Sequence, residues 1–297
     1  MTKIVVLLAA VLAAAAAVQG SQATFTASKT NAGSSFATAA KFAPTVTLTT
    51  PADGSATNDT TPLISGTADN ATGDSTTVTA KIYSGTSATG SPVQTKNGTR
   101  SGTSYSFSLT TALAQGTYTA VVTQTDTSGN TGTSNANTFT VDTTAPTGVS
   151  VSAENKAGGT AGRIEAGDTL TYTYSEAIQP STVLSGWSGA STAIHIRFTS
   201  SGNDTITILT TANAAINLGS IATNGDYVSA TTTFNATMAL SSDGTSVVVT
   251  LGTPSNVNST PSPGRNMSWT PSASAKDLAG NSAATTAYNE TASDVDF

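Results

Sequence analysis

The side chains that could do chemistry are few. A serine hydrolase needs a base beside its nucleophile, and the chain holds a single histidine, His195, and no cysteine. In the stretch "AIHIRF" that histidine alternates with Ile194, Ile196 and Phe198, which places it with Arg197 on the outward face of a strand. No G-x-S-x-G motif accompanies it. Paired carboxylates are the next option, and Glu165, Asp168 and Glu176 stand close in sequence. Asp168 precedes a strand and Glu176 follows it, so at ~3.3 Å per residue they stand about 26 Å apart, beyond the roughly 5–10 Å of a glycosidase pair. Calcium would need several oxygens, and "DNATGD", "DTSGN" and "DLAGN" supply them. None has the spaced D-x-D/N-x-D/N-G loop, and capping of a turn is the simpler use of such residues. Glu290, Asp294 and Asp296 in the tail are open to either reading, as ligands or as solvated groups. No catalytic residue, cofactor-binding residue or metal ligand is therefore assigned, and no cofactor is expected. Trp187, in "SGWSGAS", is the one candidate for stacking on a sugar.

The elements that would position these groups are strands. Only 9% of the 297 residues are charged, with Thr, Ser, Ala and Gly dominating, which suits exposed sheet faces. A formal net charge of −6 without a basic cluster argues against nucleic acid. The lack of cysteine leaves stability to packing alone, and favours a bacterial exported protein built from larger sandwiches.

Met1 to Gly20 has Lys3, an apolar run from Ile4 to Val18, and then small residues at Ser21 and Ala23, the pattern of a signal peptide over residues 1–23. The run is shorter than the roughly 20 residues of a bilayer span, so no membrane contact is expected after cleavage; a retained anchor is the alternative. Residues 24–43 read as a Ser/Thr/Ala-rich spacer. Within it Phe25, Thr30, Asn31, Gly33 and Phe36 resemble the segment that follows SipW-type signal peptides, a likeness that implies a route of export and, weakly, fibre assembly.

From Pro44 onward short alternating runs follow one another, among them Val78, Ala80 and Ile82, then Tyr105, Phe107 and Leu109, then Tyr118, Ala120 and Val122. They predict about seven antiparallel strands over residues 44–143, with turns at "PADGSATND", "DNATGD" and "KNGT". Tyr118, just after Gly116, stands where a tyrosine corner belongs. "DTSGN" (Asp126–Asn130) should close a turn: Asp caps it, Gly takes the left-handed conformation, and Asn tolerates the next position. "DLAGN" (Asp277–Asn281) should do the same and nothing more. The stretch from "PTVTLTT" to "FTVDTTAP" resembles the bacterial Ig-like repeats of large surface proteins. Residues 144–147 form a linker stiffened by Pro146, and residues 148–297 a second, larger domain. There "GRIEAGDTLTYTYSEAI", Trp269–Pro271 and "DLAGN" resemble another bacterial Ig-like repeat class.

The resemblances imply an all-β chain of two tandem Ig-like β-sandwich domains, not an enzyme, secreted or held at the cell surface as a structural or adhesion protein. A carbohydrate-binding or surface-polymer-binding module and a self-assembling filament or matrix subunit are the alternatives. The partners to expect are cell-wall or extracellular polymers, surface proteins and further copies of the chain, not nucleic acid.

Overall fold

The computed structural model describes residues 42–254, 265–291 and 297. The leader, the SipW-like stretch, Asp294 and Asp296 lie outside the described residues.

In the first unit, alternating side chains become sheet because one face of each strand finds a shared core. One layer contains β1 (Val46–Thr50), β3 (Leu63–Ala68) and β6 (Ser104–Ser108). The other contains β2 (Ser55–Thr57), β4 (Asp74–Ser84), β7 (Gly116–Asp126) and β9 (Asn137–Val141). β5 (Gln94–Ser101) bonds to β4 on one side and β6 on the other, so it joins the layers. β8 (Thr131–Thr133) folds back on β7 as a hairpin. Val46, Leu48, Ile64 and Tyr105 from one layer meet Val78, Ala80, Ile82, Val122 and Phe139 from the other.

Two details of this unit depart from the expected outline. The short strands β2 and β8 raise the count of strands from seven to nine. "KNGT" is not a turn: Lys96–Thr99 lies inside β5, and the register pairs Gly98 with Val78. The glycine serves packing here, because a Cβ at position 98 would strike the Phe107 ring.

Among the described residues the second unit is a nine-stranded sheet: β10 (Gly148–Glu154), β11 (Thr169–Tyr174), β12 (Thr192–Thr199), β13 (Thr205–Leu209), β14 (Ala215–Ala222), β15 (Thr232–Leu240), β16 (Ser246–Pro254), β17 (Ser268–Thr270) and β18 (Tyr288–Asn289). In space they run β10-β11-β16-β15-β12-β13-β14-β17-β18, and the sheet curls until β10 lies against β17 and β18. That closure lets Tyr172 and Tyr174 of β11 pack edge-on against Trp269 of β17, at ring separations of 5.3 and 4.9 Å. The Gly-, Asn- and Ser-rich middle that hides its strand order in sequence holds β13 to β16. One short helix, α1 (Pro180–Val183), follows β11. The two cores share no residue.

Candidate functional site at the joint between the two sandwiches

The D-x-x-G-N motifs are corners, and in both copies the aspartate carboxylate holds the asparagine four residues on. In the first, the Asp126 carboxylate accepts hydrogen bonds from Ser128 N–H (2.8 Å), Asn130 N–H (2.9 Å) and the Asn130 side-chain amide (2.9 Å). Asp126 N–H in turn donates to Asn130 C=O at 3.0 Å. In the second, Asp277 accepts from Gly280 N–H (2.6 Å), Asn281 N–H (2.8 Å) and the Asn281 side-chain amide (2.8 Å). Gly129 and Gly280 take φ of 85° and 97°, conformations that cost a residue with a Cβ and cost glycine little.

The second corner does more than bend the chain, which corrects the expectation that it shapes a turn and nothing else. The Asn281 amide that closes the turn also donates to Asp142 C=O, 2.9 Å away at the exit of the first sandwich. Asn58 N–H, just after β2, donates to Ala279 C=O at 3.0 Å. The linker adds Ala284 N–H to Pro146 C=O (2.8 Å) and Ser175 N–H to Thr147 C=O (2.9 Å). Behind the corner, Gln179 N–H donates to Lys276 C=O (2.7 Å), tying it to the start of α1.

This docking gathers three acids that lie far apart in sequence. Asp142, Glu176 and Asp277 each place a carboxylate oxygen within 4.8 Å of the others. Asp277 is buried, Asp142 and Glu176 half-buried. Burial pushes the Glu176 carboxyl up to about 6, helped by the charges of Asp142 and Asp277 and by a hydrogen bond with Asp142. Oxygens this close could share a proton or hold one divalent cation, although Asp277 already spends both of its oxygens on its own turn. The sequence singles out Glu176 and Asp277 but carries no signal for their meeting with Asp142, which depends on how the second sandwich seats on the first.

The other candidates stay apart. His195 is bonded to Asn213 Oδ1 (3.1 Å) on an exposed face. Asp168 is fully buried and accepts from Lys156 N–H and Glu165 N–H, while Glu165 accepts from Thr160 N–H (2.8 Å). Both lie at the opposite end of β11 from Glu176. Trp187 is packed inward, 7% exposed, with its indole N–H donated to Ala190 C=O at 2.6 Å. The tyrosine corner is present: Tyr118 Oη donates to Ala114 C=O at 2.9 Å. Asp204, which sequence reasoning passed over, is fully buried and holds a loop by accepting from Tyr227 N–H (2.7 Å) and Val228 N–H (2.8 Å).

The described residues thus form two β-sandwich units in tandem, joined by a linker and a docked corner. Residues 38–143, which include the first sandwich, match the family model of the bacterial Ig-like domain. Among solved structures the chain is similar to fibronectin(III)-like modules of Clostridium thermocellum CbhA, at 13% identity over 70% of this chain and 90% of that one, with a TM-score of 0.30. It is also similar to the FN1–FN3 domains of chicken CNTN1 (10% identity, 72% and 65% covered, TM-score 0.27). A third is a tetra-tandem repeat from the extending region of a large adhesion protein (18% identity, 86% and 66% covered, TM-score 0.25). The chain thus spans just under two thirds of the last two. No curated protein matches it in sequence.

Proposed function

We propose that the chain is a non-enzymatic spacer of an exported, surface-associated protein, in which two Ig-like modules are held at a set angle to carry or present other parts of an adhesive or matrix assembly. The observation that carries this reading is the docked corner: Asn281 and Ala279 of the second module bond to Asp142 and Asn58 of the first, so the connection is more than a tether. The fit with export is compositional, resting on the leader-like N-terminus, the scarce charge and the absence of cysteine. The inward packing of Trp187 weighs against the sugar-binding alternative, whose best candidate it was.

A chain without cysteine can be spin-labelled cleanly through Thr95→Cys in the first module and Thr237→Cys in the second, both exposed. Pulsed-dipolar distances should be narrow in the otherwise native protein and broaden when Asn281→Ala removes the shared amide. A distribution already broad in the native protein would defeat the spacer reading.

A further inference from the structure

Asp126 closes its own corner, but it has company at that end of the first sandwich. β7 starts beside the end of β9 at the joint and finishes at Asp126, so this corner and Asp142 lie at opposite poles of the module. In the register of β4 and β7, Asp74 lies directly across from Asp126. Asp74 N–H is bonded to Ala71 C=O (2.9 Å) and Asp126 N–H to Asn130 C=O (3.0 Å), so the two do not bond to each other through their main chains. Side chains stand closest in a pair of that kind, with Cβ atoms about 4.5–5.5 Å apart. Both acids are buried, at 9% and 7% exposure. Gln124, two residues before Asp126 on the same face of β7, is buried at 1%. Its amide nitrogen donates to Asp69 C=O (2.8 Å) and Ser75 C=O (2.6 Å), which turns its Oε1 the other way. That buried oxygen has no hydrogen-bond partner among the described residues. Arg100 reaches the same pole, yet its N–H groups go to the main-chain carbonyls of Asp74, Ser75 and Gly102 and none to either carboxylate.

Like charges side by side and out of water are costly, and an oxygen that can only accept adds to the need for a positive partner. We propose that this pole binds a calcium ion, with the carboxylates of Asp74 and Asp126 and the Oε1 of Gln124 as its protein ligands and water completing the shell. The donors are all oxygen, two charged and one neutral, which suits a hard cation that takes roughly six to eight ligands and accepts an irregular cage. Softer metals would look for nitrogen or sulfur, which this set lacks. The bonds that Asp126 accepts from Ser128 and Asn130 leave it room, since a carboxylate has about four acceptor positions. The loop before β4 is exposed at Asn70 and Thr72, so an ion has a way in. Once bound, it ties the start of β4 to the end of β7 and stabilises the first module.

The test is a calorimetric melt of the full chain, stripped with a chelator and then titrated with calcium or magnesium. At roughly a hundred times Kd, calcium should raise the first module's transition by about 5 °C or more, and magnesium at the same concentration should do less. Asp74→Asn, which keeps the shape and removes a charge, should bind calcium at least about tenfold more weakly in isothermal titration. Gln124→Glu, which offers the ion a third charge, should melt below the native protein in chelator and gain more from calcium. Should Asp74→Asn fail to fold, that opposite change carries the test, because calcium is what restores it. Glu176→Gln, at the other pole, should keep the native response. A first transition indifferent to calcium, or an Asp74→Asn variant that responds like the native protein, would overturn the site. A response lost in Glu176→Gln instead would put the ion at the joint and overturn it equally.

Discussion

Replacing Glu176 by glutamine should make the protein more stable at neutral pH and less sensitive to acid. The Glu176 carboxyl is raised from 4.5 to about 6 by burial and by its two acidic neighbours. A group whose native pKa exceeds its unfolded one binds its proton more tightly when folded. It therefore adds stability below about 4.5, loses that contribution as pH rises to about 6, and contributes none above. At about 1.4 kcal/mol per unit the full shift would correspond to ~2 kcal/mol, and solvent screening at a half-buried position reduces this to about 1 kcal/mol. The substituted side chain keeps the shape of the original, carries no charge, and has an amide that can donate to Asp142. Calorimetric melts at pH 4.5 and 7.5, with a chelator present, should show Glu176→Gln about 2–4 °C above the native protein at pH 7.5 and level with it or below at pH 4.5. An equal difference at both pH values would refute the reasoning. So would a native protein that gains stability from calcium while the variant does not, since a cation would then be doing the neutralising.

The remaining expectations concern the corners and the cores. Tyr118→Phe removes the bond to Ala114 C=O and should cost the first module about 1 kcal/mol in urea unfolding, with the second module's transition unchanged. Asp126→Ala leaves three donors of the first corner without their acceptor and should cost about 2 kcal/mol, read in the first transition only. Asp277→Ala should cost the second module a similar amount and, unlike Asp126→Ala, should also broaden the distances between the two spin labels. Gly98→Ala should destabilise the first module by about 1–3 kcal/mol, because the new methyl must displace the Phe107 ring.

The class of fold was legible because alternation is a local property: Val78, Ala80 and Ile82 announce their buried face whatever strand they pair with. The tyrosine corner and the two Asp-Gly-Asn corners were legible for the same reason, since each closes within five residues of chain. Gly98 misled because glycine beside asparagine marks a turn in sequence, whereas its cause here is a ring brought in from β6. The acidic cluster was out of reach because the meeting of Asp142, Glu176 and Asp277 is set by the seating of one module on another. Nothing in the residues around any one of them encodes that meeting.

The joint pairs unlike surfaces: the departing strand of one module meets a corner near the end of the next. A contact of that kind is heterologous, so it has a direction. The two modules linked through it therefore follow one another in a single order, head to tail, and the contact mates two different faces instead of two equal ones.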